Sequence, residues 1–316
     1  MIRHSLKTDR PGDLGAFESL VYPIGSDAFF ADIWRKQILL IDGEGAPPLP
    51  LIDTDQFLTV LYEAGLGSMP IRYTTPGVNS AEANRDAFFR LKAKWERPPS
   101  LSELAAQTAG STLVFDAIAG RVPRAKAWCR EIFKAKKLAC DFNAYFGSSE
   151  GASAFGAHFD LEDVFVLQVE GQKDWHLWEA PEPSTGLTWS DCETPTAPPD
   201  QIVRLSPGDI LYVPRRRWHW PKTVGDGASF HLTLQVVPLY AKDIARWIES
   251  LLQGDEALER GISYALSSPD DQPLGAGMKK AIALLQSELE KPDAAGRAEL
   301  FLTMRRMKQV FADKGA

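Results

Sequence analysis

The spacing of apolar residues divides the chain into three regions. Residues 1–137 combine helical spacing with loops. A helix that begins near Ser26 is indicated by apolar residues three and four positions apart, namely Phe29, Phe30, Ile33 and Trp34. A short apolar run at 38–41 predicts a buried strand, and residues 76–86 are predicted to form a loop. Three more helices are predicted, over 53–64, 100–109 and 124–136.

Residues 138–237 carry a pattern typical of β-strands. Seven short apolar or alternating runs follow one another there, separated by Gly, Pro, Asp and Ser. Strands that recur about every 8–12 residues, with turn residues between them, are typical of an all-β sandwich or barrel. The interval 181–200 holds five prolines and is predicted to be a long loop.

Residues 238–316 return to helical spacing. Two apolar stripes are predicted to lie along helices in this region. The first stripe consists of Ile244, Trp247, Ile248, Leu251 and Leu252, and the second of Leu300, Met304, Met307 and Phe311. Such stripes either pack on the preceding domain or form the interface of a homodimer, and the sequence leaves both interpretations open.

Composition narrows the class of protein. An apolar content of 44% with 24% charged residues is that of a globular protein and excludes a wholly disordered chain. The three cysteines form no CxxC pair, which argues against a disulfide scaffold. No run of 18 apolar residues predicts a membrane span, and the polar N-terminus lacks the apolar core of a secretory signal. We therefore expect a cytoplasmic protein.

The net charge bears on the partners that the chain can bind. Lysine and arginine number 35 against 42 aspartate and glutamate residues, which gives a net charge of −7. This balance disfavours direct nucleic-acid binding, because phosphate backbones need a basic face. An acidic surface suits a basic protein or peptide substrate.

Candidate metal ligands lie within the predicted β region. In the tripeptide His158-Phe159-Asp160 the first and third side chains share one face of a strand. His219, 59 residues after Asp160 and just past a predicted strand, supplies a second imidazole. Two imidazoles and one carboxylate on a β scaffold match the facial triad of non-haem Fe(II) oxygenases. A zinc hydrolase also uses two histidines and an acid, but its helical HExxH motif is absent from this sequence.

Lys173 is the candidate cation for the far carboxylate of a 2-oxo acid co-substrate. It begins a predicted strand on which His176 faces the opposite side, so we interpret His176 as structural. On neighbouring strands Asn143, Tyr145 and Thr233 lie on faces that could line the same pocket. Each has a simpler interpretation, Lys173 as a solvated turn residue and the others as ordinary strand polarity.

The combined pattern resembles the JmjC-type cupin family of 2-oxoglutarate oxygenases, nearest to the bacterial and nucleolar ribosomal oxygenases. The resemblance is carried by residues 142–178, 206–220 and 229–236, with a further match at 29–41. It implies a mainly β fold with α-helices, built on a double-stranded β-helix of the jelly-roll or cupin type. That core would span 138–237, after an N-terminal α/β elaboration over 1–137 and before a C-terminal helical dimerisation region over 238–316.

The resemblance also implies the chemistry of the site. It implies Fe(II) bound by His158, Asp160 and His219. It implies that Lys173 pairs with the C5 carboxylate of 2-oxoglutarate, that Tyr145 and Thr233 assist, and that Asn143 faces the same pocket. The family's reaction hydroxylates a protein side chain and converts 2-oxoglutarate to succinate and CO2. In the subgroup the acceptors belong to ribosomal proteins, and the helices that follow the barrel form a homodimer.

Two features depart from the family pattern. Arg215–Arg217 occupy the turn before His219, where an Arg-Gly turn is expected. Only 79 residues follow position 237, too few for both dimerising helices and the winged-helix module usual in the subgroup. An oxygenase of a small metabolite or peptide natural product, and a non-oxygenase metal-binding cupin, are therefore kept as alternatives. Demethylation is kept as an alternative to hydroxylation.

Overall fold

The computed structural model describes residues 1–6, 10–63, 71–74, 81–182 and 192–237, together with 282–283, 286–287 and 290–291. The chain divides into two compact units, one made mainly of Met1–Pro238 and the other of Leu239–Gln309. In the second unit, the described residues 282–283 and 286–287 are helical. The two apolar stripes and the dimer interface predicted for 238–316 lie outside the described residues. No helix in the described part of the chain is long and apolar enough to cross a membrane.

All of the described β-strands lie in the first unit. The strands described there are β1 Ile2–Ser5, β2 Leu39–Asp42, β3 Ile71–Thr74, β4 Thr112–Phe115, β5 Cys140–Gly147, β6 Asp163–Glu170, β7 Gln172–Pro181, β8 Gln201–Leu205, β9 Ile210–Val213, β10 Arg217–Val224 and β11 Ser229–Val236. They form a large sheet in the order β1-β2-β9-β6-β11-β5-β4-β3 and a small sheet in the order β10-β7-β8. From β5 onward the chain passes repeatedly between the two sheets, with antiparallel pairing throughout. This winding is that of a double-stranded β-helix, and the predicted fold class of the core is confirmed.

The N-terminal region extends both edges of the large sheet. Strand β1 pairs in parallel with β2, which pairs with β9 at one edge. At the other edge β4 pairs with β5, and β3 pairs with β4. Of these four strands the sequence pattern predicted only β2, so the α/β elaboration holds more strand than expected. The boundary near residue 137 stays a prediction, because residues on both sides of it belong to one compact unit.

Helices pack beside the large sheet. Their bounds are α1 Ala16–Val21, α2 Ser26–Ala28, α3 Thr54–Glu63, α4 Ala81–Lys92, α5 Leu101–Gln107 and α6 Pro123–Lys136, with a π-helical turn at Phe29–Ile33 and a 3-10 turn at Ile118–Gly120. The predicted helices at 53–64, 100–109 and 124–136 are confirmed as α3, α5 and α6. The predicted loop at 76–86 is wrong from residue 81, where α4 begins. Helix α4 is anchored by Phe88, which is fully buried and packs against Tyr73 of β3.

The two-residue period of the strands sorts their side chains into two cores. In β6, Phe165 and Leu167 join the cluster that faces the helices. Val164 and Val166 of the same strand join a second cluster with residues of β7 and β8, so they face the small sheet. The space between the two sheets therefore has an apolar end, and the polar residues discussed next line the rest of it.

Candidate metal centre and acid-binding cavity

The three predicted metal ligands meet where the His158-Phe159-Asp160 tripeptide lies beside β10. The N–H of His158 donates to the carbonyl of His219 (3.0 Å), and the N–H of His219 donates back to His158 (2.7 Å). The N–H of Arg216 donates to the carbonyl of Asp160 (2.8 Å). These backbone bonds bring one potential ligand atom of each of the three side chains within 4.8 Å of the others.

Backbone carbonyls fix the orientation of both imidazole rings. Nδ1 of His158 lies 2.9 Å from the carbonyl of Gly156, and Nδ1 of His219 lies 2.9 Å from that of Arg217. Because a carbonyl can only accept, each Nδ1 carries the proton and each Nε2 is the unprotonated nitrogen that can bind a metal. Nε2 of His219 is 3.5 Å from a carboxylate oxygen of Asp160. Burial, and next the nearby His158, lower the pKa of His219 to about 4, so this ring is neutral and competent as a metal ligand.

The same cavity contains a buried cation. Lys173 is only 2% exposed and lines the cavity together with the three potential ligands. Burial lowers its pKa to about 7. Among the described residues no carboxylate forms an ion pair with its ammonium group. A buried ammonium without a counter-ion is costly, and an anionic ligand would offset that cost.

Other polar atoms in this cavity also lack partners. The hydroxyl of Thr112, Nε1 of Trp175 and Nδ1 of His231 are buried with no hydrogen-bond partner, and all three residues line the cavity. Buried polar groups in folded proteins are almost always hydrogen-bonded. The donor set of Lys173 and these residues therefore fits a ligand that is rich in oxygen and negatively charged.

The remaining predicted residues lie as follows. Tyr145 and Thr233 line the cavity. The ring of Tyr145 stacks on that of His231 at 4.8 Å, and burial followed by the charge of Asp160 raises its pKa to about 12. Asn143 is buried but is not part of the cavity lining, and its Oδ1 accepts from the N–H of Ala117 (2.9 Å). His176 lies outside the cavity with Nδ1 beside the carbonyl of Trp220 (3.1 Å), as its structural interpretation expects.

Two further polar residues line the cavity. His231 shares one face of β11 with Thr233, as the alternation of that strand predicts. Thr112 lies on β4, a strand that the pattern did not predict, and carried no such signal. It comes from the N-terminal region, which therefore contributes directly to the cavity.

A buried carboxylate anchors the turn that leads to His219. Asp163 accepts from the hydroxyl of Tyr212 (3.0 Å) and from the N–H of Arg215 (3.2 Å), and its other oxygen accepts from Nε of Arg35 (2.9 Å). The side chain of Asp163 is fully buried. These bonds hold the loop before β10 in place and so support the ligand that follows it.

A double-stranded β-helix with two histidines and an aspartate between its sheets is the arrangement typical of metal-binding proteins of the cupin class. Residues 125–244 match the JmjC domain family. Within these residues the chain is therefore similar to JmjC domains, and it resembles the ribosomal oxygenases.

Two curated relatives illustrate this similarity. Ribosomal oxygenase 2 of Bos taurus is 26% identical over 309 residues, which cover 90% of this chain and 58% of that protein. The bifunctional lysine-specific demethylase and histidyl-hydroxylase NO66 of Drosophila willistoni is 34% identical over 138 residues, which cover 42% of this chain and 17% of that protein. The chain spans about half the length of the ribosomal oxygenase 2 proteins that it matches, 58% in cattle and 48% in rat.

A solved structure shares the fold. The ribosomal oxygenase YcfD of Escherichia coli, in complex with cobalt and 2-oxoglutarate, aligns with a TM-score of 0.56 at 16% identity. The alignment covers 87% of this chain and 70% of that one. At this level of identity the likeness concerns the fold, and the ligands are those of YcfD.

Proposed function

We propose that this protein is an Fe(II)- and 2-oxoglutarate-dependent oxygenase that hydroxylates a side chain of a protein or peptide, with release of succinate and CO2. The observation that carries the proposal is a single cavity that combines the His158, Asp160 and His219 cluster with the buried, unpaired cation Lys173. A cupin that only binds a metal has no need of that cation. The similarity to ribosomal oxygenases supports the same reading.

The residues present fit iron as the metal. His158 and His219 would bind it through Nε2 and Asp160 through its carboxylate, a donor set that suits Fe(II) and leaves coordination positions for other ligands. The carbonyls of Gly156 and Arg217 keep the two rings oriented for this role. When bound, iron would supply the activation of dioxygen, coupled to the oxidative decarboxylation of 2-oxoglutarate.

The protein's own groups bind and orient the co-substrate. Lys173 would form a charge-assisted hydrogen bond with its C5 carboxylate, and Thr233 and Tyr145 would donate further bonds. The orphaned Thr112 hydroxyl lines the same cavity and can donate as well. Asn143 would not contact the co-substrate itself, because its Oδ1 accepts the hydrogen bond of the Ala117 N–H.

Apolar groups beside the metal ligands restrict water. The ring of Phe155 meets that of His158 edge to face at 5.3 Å, and Trp175 packs on His219 at 5.6 Å. Both aromatic residues line the cavity, together with Val164. Exclusion of water by these groups would strengthen the interaction between Lys173 and a bound carboxylate.

A protein or peptide substrate is proposed from the relatives, whose names are ribosomal oxygenase and lysine-specific demethylase and histidyl-hydroxylase. The net charge of −7 suits a basic partner such as a ribosomal protein. A cytoplasmic location and a homodimer formed by the C-terminal helices belong to the same proposal. Light scattering on the full chain would test the dimer, and a monomer at micromolar concentration would contradict it.

The test is an anaerobic titration of the Fe(II)-loaded protein with 2-oxoglutarate. We expect the weak visible absorption band of a 2-oxo acid chelated to Fe(II), and we expect His219→Ala to lose it. His176→Ala is the matched control, because this histidine lies outside the cavity, and it should keep the band. In air, wild type and His176→Ala should form succinate, and His219→Ala should not.

Two outcomes would contradict the proposal. If the protein binds iron but shows no band at saturating 2-oxoglutarate, it is a metal-binding cupin of another activity. If the band appears but succinate forms only with a small molecule and never with basic peptides or ribosomal proteins, the protein-substrate part is wrong.

A further inference from the structure

Arg216 occupies the turn before His219 in a backbone conformation that favours glycine. Its φ is +63°, in the left-handed region that side-chain-bearing residues rarely adopt. The family resemblance leads to the expectation of glycine in this turn. An arginine in such a position carries a conformational cost that a glycine does not. A compensating role for its side chain should therefore be visible in its contacts.

Those contacts reach the metal-binding tripeptide from two sides. The Arg216 N–H donates to the carbonyl of Asp160, and its guanidinium lies over the ring of Phe159 at 5.0 Å. Nε of Arg216 also donates to the carbonyl of Glu182 (3.1 Å), while the N–H of Glu182 donates to the carbonyl of Arg216 (2.7 Å). One residue thus binds both the main chain and the central side chain of His158-Phe159-Asp160.

The carboxylate of Asp160 depends on such support. Its side chain is 28% exposed, and within the described residues its recorded close contact is Nε2 of His219 at 3.5 Å. No donor from the described residues holds the carboxylate as the Gly156 and Arg217 carbonyls hold the two imidazoles. Its position is therefore set by the backbone at Asp160 and by the packing of Phe159, which also meets Trp218 edge to face at 5.1 Å.

We propose that Arg216 is a positioning residue that holds the Asp160 carboxylate in place for the metal, through its guanidinium on Phe159. This inference rests on the proposed function, since it assumes a metal at the three ligands. A cation over an aromatic ring is worth about 1–2 kcal/mol when partly desolvated. If that energy orients the ligand, its loss appears in metal affinity.

The test compares Co(II) affinity with the stability of the metal-free protein. Arg216→Gly keeps the N–H donor and suits the left-handed backbone, but it removes the guanidinium. We expect the Kd for Co(II) to rise about five- to thirtyfold, the equivalent of about 1–2 kcal/mol. The denaturant midpoint of the metal-free protein should fall only slightly, because relief of the left-handed backbone opposes the loss of the ring contact and of the Nε bond to Glu182 and the added chain entropy.

Arg215→Ala is the matched control, since it removes a neighbouring positive charge whose recorded contact is through the main chain. Its Co(II) affinity should equal that of wild type. In a Phe159→Leu background, Arg216→Gly should cause little further loss, because the two substitutions remove one interaction. Unchanged affinity in Arg216→Gly, an equal loss in Arg215→Ala, or fully additive losses with Phe159→Leu would each overturn the inference.

Failure of the proposed function would look different. If Asp160→Ala binds Co(II) as tightly as wild type, the metal does not bind at the three ligands and the proposed function fails first. If Asp160→Ala loses Co(II) while Arg216→Gly retains it, the metal site stands and only the role of Arg216 is wrong.

Discussion

Replacing Lys173 by methionine should stabilise the ligand-free protein and at the same time weaken its binding of 2-oxoglutarate. Methionine fills a similar volume without the charge, so the cavity keeps its shape. The buried lysine destabilises the folded protein, whereas methionine does not. Burial lowers the pKa of Lys173 to about 7, against 10.5 for a solvated lysine. At 1.36 kcal/mol per pH unit this difference amounts to about 5 kcal/mol, of which about 3 kcal/mol applies at pH 8.

We therefore expect Lys173→Met to stabilise the ligand-free protein by about 2–3 kcal/mol at pH 8. The same substitution should weaken 2-oxoglutarate binding about 100- to 1,000-fold, because it leaves a buried carboxylate without its partner, a loss of about 3–4 kcal/mol. The first quantity is measured by urea unfolding of the metal-free protein. The second is measured by calorimetry on the Co(II)-loaded protein.

Lys134→Met is the matched control, since Lys134 is exposed at the end of α6. It should alter neither quantity by more than about 0.5 kcal/mol. The reasoning is refuted if Lys173→Met binds 2-oxoglutarate within about threefold of wild type. It is also refuted if the ligand-free variant is less stable than wild type, because the buried ammonium would then be paired in the native protein.

Three further predictions concern stability. In the ligand-free protein the folded pKa of Lys173 (about 7) lies below its unfolded value of 10.5, so the unfolded chain binds more protons and stability should rise with pH across this window; saturating 2-oxoglutarate should flatten the rise. Gly147→Ala should cost about 2–3 kcal/mol, because a Cβ there would clash with the buried Thr223 hydroxyl, whereas Gly227→Ala meets nothing within 4 Å and should be mild. Asp163→Asn should cost about 2–3 kcal/mol in chemical denaturation, since it weakens a fully buried acceptor of three donors; a loss under 0.5 kcal/mol would contradict that role.

The candidate site could be predicted largely because side chains alternate strictly between the two faces of a strand. In β7 it correctly directed Lys173 into the cavity and His176 away from it. In β5 and β11 it directed Tyr145 and Thr233 inward. Parity says which face a side chain takes but not how deep it lies, and Asn143 has the right face while its oxygen is used by the N–H of Ala117.

The strands that were missed owe their formation to distant partners. Strand β4 is a four-residue segment, Thr112–Phe115, that is buried throughout and pairs with β5. A short continuous apolar run of this kind has no period of its own, so only the partner strand decides its structure. Thr112 reaches the cavity through that pairing, which is why no local signal pointed to it.

The geometry of the metal ligands also depends on main-chain hydrogen bonds, which the sequence pattern could not indicate. His158 and Asp160 were expected to share a face because they lie two apart on a strand, yet the tripeptide pairs with β10 by a single bridge at His158. Their convergence depends on main-chain bonds from the opposite segment, at His219 and at Arg216. Main-chain bonds do not require particular side chains, so an arginine can occupy the turn where glycine was expected without moving the ligands. Its side chain is then available for another task, and the ring of Phe159 lies within its reach.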